Sequence, residues 1–352
     1  MNINFSCPIN HTGYGLASFN ILKELRQQHN IAYFPIGEPS VDSQLDYDIV
    51  YQLFINQNNF DIYAPFVKIW HQFDLANRVG RGKYYAYPFF ELDTFNNREK
   101  LHLSVPDEII VSSQWAKQVM LDNGIKLPVH VVPLGVNREI FNEKLIRTIN
   151  HDKYVFLTIG KWEIRKGHDL LPKIFKAAFP NQESVELWIL AAEHTSSYSK
   201  PDEVSQWKQH YNANNIKIIP GVKSHQDVAQ IIANSDCGLY LSRAEGWNLE
   251  LLETMSMNKP VIATNYSAHT EYCTNNNCNL VDIDSTEPAY DGKAFLRQGN
   301  WAKITQKQID QTIEYMRYLY HNNIKTNQLG VETAQKFSWK NSADIMTRCI
   351  TQ

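Results

Sequence analysis

No apolar run in this sequence approaches the roughly 18 residues that a membrane-spanning helix needs. The opening Met1-Asn2-Ile3-Asn4-Phe5-Ser6-Cys7-Pro8 has no basic segment and only a short apolar stretch, so no secretory signal is expected. Cysteine is sparse: five in 352 residues, odd in number and scattered, which fits reduced thiols better than a disulfide framework. A positive excess is missing as well. Lys and Arg total 34 against 37 Asp and Glu, a net charge of −3, which removes the main reason to expect nucleic-acid binding. No basic amphipathic helix is present, so membrane contact is expected to be peripheral at most. Cys349-Ile350-Thr351-Gln352 formally fits a prenylation box, but no polybasic segment precedes it and the helical pattern runs on through it. No repeat at a solenoid period is found. What is left is an ordinary globular composition, 43% hydrophobic and 20% charged. At about 150 residues per domain it predicts two domains, and the reduced thiols predict a cytoplasmic protein.

Short apolar runs alternate with amphipathic stretches, which predicts parallel sheets with ligands at the carboxyl ends of the strands. Strands are expected at 3–7, 31–36, 48–54, 68–71, 108–112 and 129–133, with helices at 17–29 and 113–123. A second series begins at 154–160. Strands at 185–191, 216–220, 237–241 and 260–264 alternate there with helices at 167–179, 226–234 and 249–257. The polar stretch 142–153 reads as a linker, and the tail carries long helices at 304–322 and 337–349.

Four features could carry chemistry. In Ser242-Arg243-Ala244-Glu245-Gly246-Trp247-Asn248-Leu249-Glu250-Leu251-Leu252-Glu253, a strand feeds a Gly-containing loop and then a helix. The free N–H groups at the start of such a helix favour an anion. Glu245 before the helix and Glu253 one turn inside it could hold hydroxyls on either side of a phosphate; alternatively, Glu245 caps the helix and Glu253 lies on a solvated face. In Gly160-Lys161-Trp162-Glu163-Ile164-Arg165-Lys166-Gly167-His168, three cations within six residues suit a diphosphate, or are ordinary loop residues. His11-Thr12-Gly13-Tyr14-Gly15-Leu16-Ala17-Ser18 resembles a truncated dinucleotide loop in which Gly13 and Gly15 would let backbone approach a phosphate or sugar. His71, in Trp70-His71-Gln72-Phe73-Asp74, stands at a strand end in the first half, as a catalytic group or a structural donor. The aromatic run Tyr84, Tyr85, Tyr87, Phe89 and Phe90 fits either sugar stacking or a buried strand. Cys273, Cys278 and His269 have metal-like spacing, but no second ligand pair follows, so no metal is expected.

Glu245 and Glu253, with seven residues between them, stand in a context that resembles the E-x7-E signature of retaining glycosyltransferases of family 4. Met255 to Thr264, Ser267-Ala268-His269-Thr270-Glu271, Val131-Val132-Pro133-Leu134-Gly135-Val136-Asn137 and Phe337-Ser338-Trp339 are similar to further segments of that family, in the expected order. The resemblance implies an α/β GT-B fold: two facing Rossmann-like domains with parallel sheets. Residues 1–147 would form the acceptor domain, joined by a returning helix at 337–352, and residues 148–336 the donor domain.

The same resemblance implies a nucleotide-sugar donor, a glycan or other hydroxyl acceptor, and no metal or other cofactor. Lys161 and Lys166 would hold the donor diphosphate, with Arg165 either joining them or bracing the loop. The N–H groups of Asn248 and Leu249, after Gly246 and Trp247, would reach the distal phosphate. Glu245 would face the transferred sugar and Glu253 the ribose, with Gly13, Gly15 and His71 opposite. Lys161 stands where many relatives carry Arg, and Asn258 where they usually carry Gly. A retaining hexosyl transfer from GDP-mannose or a UDP-hexose is therefore expected, by same-face attack in which the leaving phosphate takes the acceptor's proton. A base-recognition loop is expected near 221–224. Two rival readings are a non-catalytic GT-B binding module and a nicotinamide-dependent oxidoreductase, the latter resting on Gly13, Gly15 and Glu38.

Overall fold

The computed structural model describes residues 1–181, 184–191, 201–222 and 224–351. Residue 223 of the expected base loop lies outside them, as does His194. The chain divides into two compact units, Met1–Gly135 with Phe337–Gln352, and Val136–Lys336.

In the first unit, β1 (Asn2–Cys7), β2 (Asn30–Pro35), β3 (Phe66–Lys68), β4 (Tyr84–Ala86), β5 (Glu108–Val111) and β6 (Val129–Val131) form one sheet. Its order is β2-β1-β3-β4-β5-β6, and every pair is parallel. In the second, β7 (Tyr154–Ile159), β8 (Val185–Leu190), β9 (Ile216–Ile219), β10 (Cys237–Tyr240), β11 (Val261–Asn265) and β12 (Asn279–Asp282) form another. Its order is β12-β11-β10-β7-β8-β9, again parallel throughout. All six residues of β7 and of β8 are buried, as strands covered on both faces must be. Each unit is a Rossmann-like α/β layer structure with its own apolar core.

Several elements differ from the sequence expectation. The run 48–54 is not a strand but part of the helix Gln44–Ile55. Ser43 caps it by accepting from Asp46 N at 3.1 Å, and Ile49, Val50 and Leu53 fall on one buried face. The aromatic run at 84–90 builds β4 and its continuation. Tyr84, Tyr85 and Tyr87 are fully buried, and Tyr84 Oη donates to Leu75 O at 2.8 Å, so these rings are core. An antiparallel hairpin, β13 (Thr286–Tyr290) and β14 (Leu296–Ala302), and a helix at Gln328–Lys336 were not anticipated.

The unit boundary falls at residues 135–136 rather than after 147, because the supposed linker packs on the second unit. Ser256 Oγ donates to Phe141 O at 2.6 Å, and Arg147 pairs with Asp236 at 2.6 Å. The helix Trp339–Thr351 returns to the first unit and packs on the helix Gly13–Leu25. Gln28 donates to Asp344 at 3.1 Å, and His29 Nε2 meets Thr347 Oγ1 at 3.0 Å. Gly135 makes this closure possible: a Cβ there would lie 2.3 Å from Trp339 N.

Candidate active site

β10 ends at Tyr240, and the segment 241–248 leads directly into the helix Leu249–Ser256. Asn248 makes the turn. Its φ of 78° is left-handed, a region asparagine enters more readily than most residues. Its Oδ1 accepts from Leu251 N at 3.3 Å, and its Nδ2 donates to His269 Nε2 at 2.9 Å. His269 Nδ1 in turn donates to Thr264 O at 2.9 Å, so the ring is the neutral Nδ1–H tautomer. Burial pushes the His269 pKa down, which keeps it in that form. Both ring nitrogens are thus engaged. Among the described residues, no group of three or more His, Cys, Asp or Glu is arranged to hold a metal ion. Asn258 closes the other end of the helix with a φ of 60° and accepts from Asn327 N through both of its oxygens.

Glu245 lies just ahead of Asn248 and is 4% exposed. Arg165 Nη1 donates to its Oε2 at 2.8 Å, and Lys166 Nζ sits 2.7 Å from its Oε1. Burial alone would raise the Glu245 pKa, but Arg165 and then Lys166 outweigh it and hold the carboxyl well below the usual range. Lys166 is shifted in the complementary sense: burial pushes it down, while Glu245 and then Glu250 pull it up further. Both groups are therefore charged at neutral pH.

The cations lie on the loop after β7, as the sequence suggested, with Arg165 and Lys166 on a short turn, Ile164–Lys166; the helix expected from residue 167 begins only at Leu171. Arg165 spends its nitrogens on Glu163, Glu245 and Ala244 O, which makes it a brace between two loops. Lys161, on the same loop, joins none of these ion pairs among the described residues, though its charge acts on Glu163. Glu253 is 8% exposed, and its carboxyl group has no hydrogen-bond or ion-pair partner among the described residues. Burial, followed by the nearby Glu250, raises its pKa well above the carboxylate range.

Sequence reasoning missed Arg243 as a structural element. It forms a bidentate pair with Asp169 at 2.8 Å on both oxygens, lies over the Trp301 ring, and approaches Glu287 at 3.5 Å. It thereby links the cation turn to the β13–β14 hairpin. The signal was its place two residues before Glu245, but its partners are too distant in sequence to be read from it. Tyr272, also missed, donates to the carbonyls of Trp247 and Asn248 at 2.9 and 3.0 Å.

In the first unit, Gly13 and Gly15 are not in a loop but in the first turn of the helix Gly13–Leu25. The ring of Tyr14, between them, lies 4.7 Å from His71, and its Oη donates to Phe89 O at 2.7 Å. His71 also stacks on Phe73 at 4.9 Å. The glycine turn and His71 are thus neighbours at the carboxyl edge of their own sheet.

The family of Glycosyl transferases group 1 matches residues 139–336, more than half of the sequence, and the chain belongs to that family. An uncharacterised glycosyltransferase of Methanocaldococcus jannaschii is 24% identical over 253 residues, 66% of this chain and 60% of the relative. The chain thus spans less than two thirds of that relative's length. Among solved structures, HepE of Anabaena in complex with UDP-glucose is 15% identical with a TM-score of 0.70, covering 100% of this chain and 99% of that one. Sucrose-phosphate synthase of Thermosynechococcus elongatus is 13% identical with a TM-score of 0.69, covering 100% and 98%. The two parallel-sheet Rossmann-like units are those of the GT-B fold. No helix among the described residues is long and apolar enough to cross a membrane.

Proposed function

We propose that this chain transfers a hexose, with retention, from a nucleotide diphosphate sugar to a hydroxyl of a glycan or glycosylated acceptor. The observation that carries the reading is the buried Lys166–Glu245–Arg165 cluster beside the N-terminus of the helix Leu249–Ser256. An ammonium has three donors, and Glu245 occupies one, so Lys166 can give others to a leaving diphosphate. The helix N–H groups beyond Asn248 supply further preorganised positive potential. In this reading those groups, with Lys161, stabilise the charge that develops on the leaving phosphate, a task that many transferases give to a divalent ion.

Glu245 is fixed as a carboxylate and cannot donate a proton, which suits an electrostatic role beside an oxocarbenium-like sugar. Burial and the nearby Glu250 bias Glu253 toward its protonated form, in which it would both donate to and accept from vicinal ribose hydroxyls. Same-face attack follows, with the leaving phosphate oxygen accepting the proton of the acceptor hydroxyl. UDP-glucose, the ligand of the Anabaena neighbour, is the donor to test first, with GDP-mannose beside it. Buried, unpaired thiols at all five cysteines support a reducing compartment, which we take to be the cytoplasm.

Turnover of each nucleotide sugar, with the product anomer read by NMR, tests the proposal. The Lys166→Ala variant should lose about 100-fold in kcat, the scale of one lost electrostatic contact. Near-normal turnover in a folded Lys166→Ala protein would overturn the role of Lys166, and an inverted product would overturn retention.

A further inference from the structure

A cavity of about 290 Å³ opens on one face of the first unit's sheet, where β1, β2 and β3 end. Ser6 and Lys68, register partners across β1 and β3, form its floor, and Asp74, Asn77 and Arg78 of the following loop form its wall. The sheet order β2-β1-β3 makes this the point where the chain direction of winding reverses, the usual ligand crevice of an open parallel sheet. Lys68 is only 5% exposed. Its Nζ has one long hydrogen bond, to Asn77 O at 3.5 Å, and no ion pair among the described residues. Asp74, which accepts from Trp70 Nε1 at 3.0 Å, only partly offsets the burial that pushes the Lys68 pKa down.

A buried ammonium without a close counter-charge is costly, and an incoming anion is the direct way to relieve it. We propose that this cavity is an oxyanion subsite in which Lys68 and Arg78 bind a carboxylate or phosphate group carried by the sugar acceptor. Arg78 stands exposed at the rim, where its Nη2 donates to Gly82 O and its guanidinium lies over the Tyr84 ring; its remaining N–H groups can meet an incoming oxyanion, while Lys68 acts as a point charge from below. Asp74 limits the net positive charge, so the site takes one small anionic group and excludes a diphosphate. The volume fits a headgroup or a single sugar, at the lower edge of small-molecule sites. That the anion belongs to an acceptor rests on the transfer reading; that an oxyanion binds here does not.

Calorimetric titration of the full chain with glucuronate, glucose 6-phosphate and glucose, with UDP-glucose and GDP-mannose as donor-site controls, tests the subsite. Charged sugars should bind at least about 10-fold more tightly than glucose. Lys68→Gln and Arg78→Gln should each weaken them by about 10- to 100-fold, the range of one charge-assisted hydrogen bond, without changing the affinity for the nucleotide sugar. Tighter binding of glucuronate identifies a carboxylate, and tighter binding of glucose 6-phosphate a phosphate. Glucose binding as tightly as both charged sugars would overturn the proposal, as would failure of both charged sugars to bind. So would wild-type affinity in Arg78→Gln, whose exposed side chain lets the variant fold even where Lys68→Gln does not. A chain that binds the charged sugars but no nucleotide sugar would keep the subsite and overturn the transfer reading.

Discussion

The side-chain amide of Asn248 is held by His269, 21 residues downstream, through a 2.9 Å hydrogen bond to Nε2. The histidine thereby fixes the residue that caps the helix beside Glu245, and its neutral state is part of the device.

Asn248 does two things: it accepts a left-handed φ and it caps a helix. Asn248→Ala loses the cap and gains strain, and should cost about 2 kcal/mol. Asn248→Gly keeps the conformation and should cost less than about 1 kcal/mol. Urea denaturation of the two variants checks this, and equal losses would count against the strained cap.

Glu253 sets a pH signature. Its folded pKa lies above the ordinary carboxylate value, so the stability it contributes is full below that value and is lost as pH rises through the folded pKa. The unfolded chain ionises there while the folded one still holds its proton. Glu253→Gln should therefore match the wild type near pH 4 and become progressively more stable than it toward neutral pH, in denaturation curves across that range. A gap independent of pH would show that Glu253 is not held protonated. The same substitution should weaken nucleotide binding, since an amide cannot offer a hydroxyl donor in the same place.

Gly13 and Gly15 stand two residues apart in one helical turn and should respond in opposite ways. A Cβ at Gly15 would sit 2.3 Å from the backbone N of Asn10, so Gly15→Ala should cost about 1–3 kcal/mol. A Cβ at Gly13 meets nothing within 4 Å, so Gly13→Ala should be neutral or stabilising by up to about 1 kcal/mol. Thermal melts of the pair decide it.

Arg243→Lys keeps the charge but loses the bidentate fork onto Asp169. A loss of roughly 2 kcal/mol is expected. Hydrogen exchange should accelerate in residues 286–302 before the sheet of the second unit is affected. Uniform acceleration would mean that Arg243 does not tie the hairpin to the cation turn.

The parallel sheets were legible because buried strands such as 154–159 and 237–240 read as continuous apolar runs flanked by turns. The run at 48–54 misled because its apolar residues fit a period of two as well as one helical face, and only the Ser43 cap separates the two readings. The aromatic run at 84–90 offered two readings, and burial selected the core. At the site, Glu245 and Lys166 were visible from their motifs, whereas their pairing was not. Their contact spans 79 residues, and neither local pattern specifies the other. The hairpin at 286–302 gave little signal because Pro288 and Gly299 interrupt its two strands, although Asp291-Gly292 marks its turn.

The helix at 339–351 also sets an order of assembly. During synthesis the first unit leaves the ribosome with one face of the helix Gly13–Leu25 bare, and the whole second unit must be made before its cover appears. The nascent chain therefore carries a half-finished domain through about two hundred residues of elongation. Its closure over a long sequence separation is expected to make that domain finish folding after the second unit, which forms from one continuous stretch of chain.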